Sequence, residues 1–387
     1  MSIDTFLLSA DTTDLNYPEV RPTLDLNFAR VKALDPRITF TRASGGSYVG
    51  ADGLIKYAGV NEPRFDHNPV TGESLGLLIE EARTNLLLRS EEFDNVAWVL
   101  FGTASRTANT TVAPNGTTTA DSVTLPVSSG ILQSASGSAN TAYTFSIWIR
   151  CDTTKSVRLV INTNLGDPTT LTVTATSSWQ RFSITKTTSV GTLKVTSQVD
   201  TGGGNTFYLW GAQTEQASFP TSYIPTEAST RTRAADDASI TGKNFSDWYR
   251  QDEGTLFCSG IPTLANSFPH MAAFFDSENS TNNTYRLIFS PNNLPQPRIR
   301  VNSVDVLVSE LPNIKRINNL LLSYQSGNSA ISANGSILNS SIIFFPLNSN
   351  KLNIGRQITQ NSLNGTIARL TYYPKRLPDA QLQALTK

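Results

Sequence analysis

Apolar and polar residues alternate with a period of two along most of this chain, the period of strands rather than helices. In the run YTFSIWIR, Tyr143, Phe145, Ile147 and Ile149 fall on one face, and Thr144, Ser146, Trp148 and Arg150 on the other. The pattern recurs at Val157, Leu159 and Ile161, at Leu171 and Val173, at Phe182 and Ile184, at Leu193, Val195 and Val199, and at Phe207 and Leu209. Short runs of this kind, each bounded by Gly, Pro, Asn, Asp or Ser, predict a sandwich or jelly roll over 88–226. Beyond 250 the alternation returns at Tyr285, Leu287 and Phe289, at Val304, Val306 and Val308, and at Leu320, Leu322 and Tyr324. Asn334–Gly335, between Ala330–Ser332 and Ile337–Leu338, predicts a hairpin turn. Only LPDAQLQALT near the C-terminal end reads as a helix, with Asp379 suited to its positive N-terminus.

The ends of these patterned regions set the domain organisation. Residues 1–87 carry prolines at 18, 22, 36, 63 and 69, glycine turns at Gly45–Gly46 and Asp52–Gly53, and only short apolar pieces. They predict an extended arm without a core of its own, wrapping over other domains or a partner. The polar stretch 227–250 reads as a linker or bridging strand, and 251–387 as a second sandwich. The expected fold class is all-β: an extended N-terminal arm followed by two β-sandwich (jelly-roll) domains. If the arm covers its own chain only loosely, Leu24, Phe28, Ile38 and Phe40 stay exposed, and burying them predicts self-association into a homo-oligomer, with nothing in the residues to select three copies over two.

Composition narrows the function. The 387 residues hold 31 Lys+Arg against 31 Asp+Glu, a balance that argues against a nucleic-acid partner. No apolar run is long enough for membrane insertion, and the opening MSIDTFLLSADTTD lacks the pattern of a signal peptide. The two cysteines, Cys151 and Cys258, form neither a disulfide framework nor a zinc site and read as small buried hydrophobes.

Candidate chemistry is sparse. The two histidines, His67 and His270, lie in different regions and read as structural, which leaves no Ser–His–Asp triad. No phosphate-binding motif precedes a helix, and Gly202–Gly204 reads as a loop between strands. The adjacent carboxylates Glu80–Glu81, Glu91–Glu92 and Asp236–Asp237 would point to opposite faces of a strand, so none is a glycosidase pair by sequence. No catalytic residue, cofactor-binding residue or cofactor is expected. Aromatic rings on a polar strand face can stack on sugars. Trp148, Tyr208 and Trp210 lie on such faces and are the candidate glycan-binding residues. The competing reading, and the commoner one for such rings, packs them under a loop or against the N-terminal arm. Trp98 and Trp179 read as packing residues.

Two resemblances add to this. NNLLLSYQSGNSAISANGSIL, LNIGR (352–356) and GTIARLTYYPKRLPDAQLQALT resemble laminin-G-like or concanavalin-like sandwich domains. Pro378 stands where such domains often carry a Ser helix cap, and Ile367 and Leu370 cannot share a strict period-two face, which predicts a bulge. LDPRITFTRAS (34–44), YVGADGLI (48–55), PRFDHNPVTGESLGLLIEEARTNLLLRSEEFDNVAW (63–98) and YLWGAQTEQASFPTSYIPT (208–226) resemble modules of phage virion appendages, and SSWQRFSIT (177–185) resembles carbohydrate-binding-module jelly rolls.

The resemblance implies a virion component, a tail fibre, spike or decoration protein; the missing catalytic motifs predict that it is non-enzymatic, and the missing signal peptide that it is made in the host cytoplasm. Its implied partners are other virion proteins, through the arm, a host-surface polysaccharide, and further copies of the chain, the appendage resemblance favouring a trimer. Glu80 and Glu81 then read as partners for Arg83, Arg64 or backbone amides. The rival readings are a decoration or fastener protein without ligand, and a polysaccharide depolymerase. Calcium is common on such sandwiches, and the acid-plus-carbonyl set that would hold it cannot be assigned from the sequence.

Overall fold

The computed structural model describes residues 18–192, 194–200, 203–263, 268–276, 282–292, 294–311, 318–341, 348–357 and 361–387. Sequence readings that fall on 1–17, Leu193 and Gly202 lie outside them. The regular structure among the described residues is nearly all antiparallel strand, and the chain forms two compact units, one of 1–42, 61–81 and 236–387, the other of 43–60 and 82–235.

The second unit is a sandwich of two five-stranded sheets among the described residues. In one, Gln180–Thr187, Ala142–Arg150, Asn205–Glu215, Ala120–Leu125 and Ser105–Thr111 lie side by side in that order. In the other the order is Thr169–Ala175, Lys155–Thr163, Lys194–Asp200, Gly130–Ser136 and Val99–Phe101. The inward residues of both sheets form one core: Phe145, Ile147, Ile149, Phe207 and Leu209 from the first, Ile131, Val157, Leu159, Ile161 and Val199 from the second. All of these except Ile131 are residues that the alternation assigns to one face.

The first unit carries an eight-stranded and a seven-stranded sheet around a common core. The hairpin Ser329–Ala333/Ser336–Ser340 turns through Asn334 and Gly335, both at positive φ (49° and 86°), as the Asn-Gly signal requires. Opposite Ser259–Gly260 the register skips Ala368, so Ile367 and Leu370 both reach the core across a bulge. The C-terminal helix, Asp379–Thr386, follows Pro378 at its N-cap, and Leu382 packs with Phe257, Leu321 and Ala330 on the outer side of the eight-stranded sheet.

Two boundaries differ from the sequence reading. From residue 18 onward the 1–87 segment is not a coreless arm. Leu24–Asn27 pairs with Gly365–Tyr373, Ser74–Ile79 pairs with the other end of that strand, and Thr39–Thr41 pairs with Asp237–Thr241. Leu24, Phe28 and Ile38 are buried in this unit's own core, so they do not supply a surface for self-association. Their short apolar pieces look insufficient only when counted locally, because their partners lie at the far end of the chain. The 227–250 stretch is likewise not only a linker: it contributes the strands Arg231–Arg233 and Asp237–Thr241, and buries Phe245, Trp248 and Tyr249 in an aromatic cluster with Phe274 and Tyr372.

Candidate functional site

Residues that alternate away from the core on Ala142–Arg150 and Asn205–Glu215 form the outer face of one sheet of the second unit. A bulge sets which of them meet. Between Ser146 and Trp148 the register shifts, making Trp148 the direct cross-strand partner of Trp210 and Arg150 that of Tyr208. Gly211 takes a φ of 63°, and a Cβ there would lie 2.9 Å from the Trp148 ring, so glycine is needed on both grounds.

One end of this face is covered. Trp148 and Trp210 are 8% and 0% exposed, and both lie against Tyr223, with ring centroids 5.5 and 4.7 Å away. Ile55, from the hairpin Gly46–Val49/Ile55–Ala58, belongs to the same apolar cluster. That hairpin is held by Ile55 N donating to the Pro114 carbonyl (2.9 Å) and Ser47 Oγ donating to the Tyr223 carbonyl (2.6 Å). The buried Trp210 indole N–H is satisfied by Thr119 Oγ1 at 3.2 Å. The Arg181 guanidinium sits 4.4 Å from the centre of the Trp148 ring, held by the Thr221 carbonyl and Ser146 Oγ. Below this cluster the Tyr223 hydroxyl donates to Glu91 (3.0 Å); burial raises the Glu91 carboxyl above its ordinary range, and burial with the nearby Glu91 charge raises the Tyr223 hydroxyl.

The other end is open. Tyr208 is half-buried, and the Arg150 guanidinium lies 4.5 Å from its ring centre and 5.7 Å from that of Trp179. Arg150 is fixed there by Thr111 Oγ1 (2.8 Å) and the Ser177 carbonyl (3.3 Å), while the Trp179 N–H donates to the Val112 carbonyl (2.9 Å). The Tyr208 hydroxyl donates to Asp152 (3.1 Å). Across the sheet the row continues from Tyr208 to Ser122 and Thr107, with the Thr124–Thr206 hydroxyl pair (2.7 Å) in the next row. This gives a partly exposed aromatic platform, one cation, one carboxylate and several hydroxyls. Such a surface suits a neutral, hydroxyl-rich ligand.

Of the sequence candidates, the structure therefore leaves Tyr208 accessible and puts Trp148 and Trp210 inside, under the hairpin from the N-terminal segment. Trp179, read as a packing residue, is half-buried against the Ile55–Trp148–Trp210 cluster, and its ring also faces the Arg150 guanidinium beside Tyr208. Arg150 and Asp152 were absent from the candidates; the signal for Arg150 was there, since it follows Trp148 by two on the same face. Trp98 is buried against Phe93 at 4.7 Å, as its packing reading requires.

The adjacent carboxylates separate. Glu80 pairs with Arg64 (2.7 Å) in a buried network in which Arg64 and Arg42 also hold Asp236 (2.5 and 3.0 Å), while Asp237 turns to Arg356 (3.4 Å). Glu81 accepts from the Asn364 amide, and Glu92 pairs with Arg89. Cys151 and Cys258 are buried free thiols. Among the described residues no three His, Cys, Asp or Glu side chains converge on a common point, and no helix is long and apolar enough to cross a membrane.

No family model matches the chain, and no curated protein matches its sequence. Among solved structures, the enzymatically active domain of bacteriophage CBA120 tailspike protein 4 is 13% identical over 34% of this chain and 21% of that one, with a TM-score of 0.26. The CBM40 module of the Ruminococcus gnavus IT-sialidase is 17% identical over 35% of this chain and 84% of that one (TM-score 0.31). TmCBM61, solved in complex with β-1,4-galactotriose, is 17% identical over 34% of this chain and 97% of that one (TM-score 0.28). The match to the tailspike thus spans about a fifth of that chain.

Proposed function

We propose that this chain is a non-enzymatic structural protein of a phage virion, a tail-fibre or spike component, and that its 82–235 sandwich contacts a host-surface glycan through the open end of its outer sheet face. The observation that carries the glycan contact is the half-buried Tyr208 ring, backed by Arg150 and Trp179 and continued by a row of hydroxyls. A sugar presents C–H groups to a ring and hydroxyls to such a row. The virion assignment is supported by the phrases 34–44, 48–55, 63–98 and 208–226, and the laminin-G-like reading of the C-terminal region by 352–356 and 365–386. The non-enzymatic reading is supported by the separate engagement of each adjacent carboxylate pair. Threefold assembly belongs to the same proposal through the appendage resemblance alone.

The test is a glycan array probed with the full chain, followed by titration of the best oligosaccharide and an assay for reducing ends. The proposal expects saturable binding, a loss of tenfold or more in Tyr208→Ala, and no release of reducing ends. Absence of binding to any surface glycan favours a decoration or fastener protein, and release of reducing ends favours a depolymerase; either result overturns the proposal.

A further inference from the structure

Beside the covered end, the second unit holds a cavity of about 260 Å³. Gly45–Ser47, Tyr57 and Ala58, Tyr223–Pro225 and the strand Arg231–Arg233 line it. The position of Gly45 suits a small residue, since a Cβ there would stand 3.1 Å from the Ala58 carbonyl oxygen. The volume falls just below the range of drug-sized sites, roughly 300–1,000 Å³, and so suits a single ring.

Three features define what such a ring should carry. The charged side chains lining the cavity are both arginines, Arg231 and Arg233, and no acidic side chain lines it. Arg233 is buried, whereas Arg231 is exposed and makes no ion pair or side-chain hydrogen bond among the described residues. Tyr57, which lines the cavity, is 47% exposed, so part of its side chain is available to a ligand. Burial chiefly, and the Glu91 charge next, raise the Tyr57 hydroxyl, while Arg231 opposes them, so the hydroxyl and the guanidinium lie within electrostatic reach of each other. Glu91 is outside the lining and accepts from Tyr223, so it does not occupy Arg231.

We infer that this cavity is a second binding site, for a carboxylate-bearing sugar unit, with Arg231 holding the carboxylate and Tyr57 the ring. An unpaired guanidinium offers the planar fork that matches a carboxylate. The exposed phenol offers a face to the ring's C–H groups. The inference rests on the glycan-binding reading only in taking a sugar as the carrier of the carboxylate.

The experiment is ligand-observed saturation-transfer NMR on the full chain with glucuronate, galacturonate, glucose, galactose and acetate, using wild type, Arg231→Gln, Tyr57→Ala and Tyr208→Ala. Arg231 is exposed and unpaired, so Arg231→Gln should keep the fold, and Tyr57→Ala provides an independent probe of the same cavity. The expected result is transfer to a uronate but not to the neutral hexoses or acetate. That signal should weaken tenfold or more in Arg231→Gln, fall in Tyr57→Ala and stay unchanged in Tyr208→Ala. Equal transfer to neutral sugars, equal binding of acetate, no effect of Arg231→Gln, or no uronate signal at millimolar concentration each overturns the inference. Neutral oligosaccharide binding that is lost only in Tyr208→Ala reports on the open face separately, so failure of one reading is distinguishable from failure of the other.

Discussion

The two ends of one sheet face, built from the same strands and the same alternation, meet opposite fates. At one end Trp148 and Trp210 are sealed beneath Ile55 and Tyr223; at the other, two residues away on each strand, Arg150 and Tyr208 remain partly in solvent. The difference does not lie in the strands. It comes from a hairpin at 46–58, remote in sequence from the face it covers, together with Tyr223 just beyond the end of the strand Asn205–Glu215. A period of two determines which face a side chain joins, and a distant segment determines whether that face is a second core or a surface. The chemistry agrees with each outcome: the buried indole of Trp210 finds Thr119, whereas Arg150 keeps a charge whose burial without a carboxylate partner would be costly.

The largest effect that sharpens this contrast is on stability. Trp210→Ala should cost the second unit about 3–5 kcal/mol in denaturant unfolding, the range for a large aromatic removed from a core. Tyr208→Ala should move the same transition by only about 1 kcal/mol, as for a half-buried ring that loses one exposed cation–π contact. Equal costs at the two positions would break the distinction between covered and open ends.

Acidification should separate the two units of the fold. In the first unit, burial chiefly, with Arg286 and Arg298 nearby, lowers His270 from 6.5 to about 3. A group with a lowered folded value contributes stability above its unfolded value and loses it as pH falls, here from 6.5 towards 3. In the second unit burial raises Glu91 and Asp121 above 4.5 and 3.8, so their contribution is complete below those values and is lost as pH rises through the raised ones. Between neutral pH and about 4.5, amide-exchange protection should therefore fall in the first unit, by up to a few kcal/mol, and rise in the second. Glu91→Gln should flatten the rise and leave the fall unchanged.

Much of this was legible locally. The alternation at Phe145, Ile147 and Ile149 locates the core face, Asn334–Gly335 its hairpin, and the misfit of Ile367 with Leu370 its bulge, because each depends on neighbours a few residues away. What was not legible depends on partners far along the chain. Leu24 pairs opposite Tyr372, so the strand that looks like part of a loose arm completes a sheet begun at the other end. Phe245, Trp248 and Tyr249 sit in a polar stretch without period and become core through Phe274 and Tyr372. At the candidate site the same limit put Trp148 and Trp210 beside Tyr208 as equals.

The smallest effect probes the open end itself. Arg150→Met keeps the stem and removes the charge between Tyr208 and Trp179. It should cost about 0.5–1 kcal/mol, the size of an exposed cation–π contact. A loss of several kcal/mol would mean that this end is a second core after all.

The most direct test of the central claim is side-chain footprinting of the full chain by hydroxyl radicals, with and without a saturating neutral oligosaccharide selected on the array. Tyr208 and Trp179 should label in the free chain and become protected on binding, while Trp148 and Trp210 should stay weakly labelled in both states. Unchanged labelling of Tyr208 and Trp179 in the saturated chain, or strong labelling of Trp210 in the free one, would contradict the account.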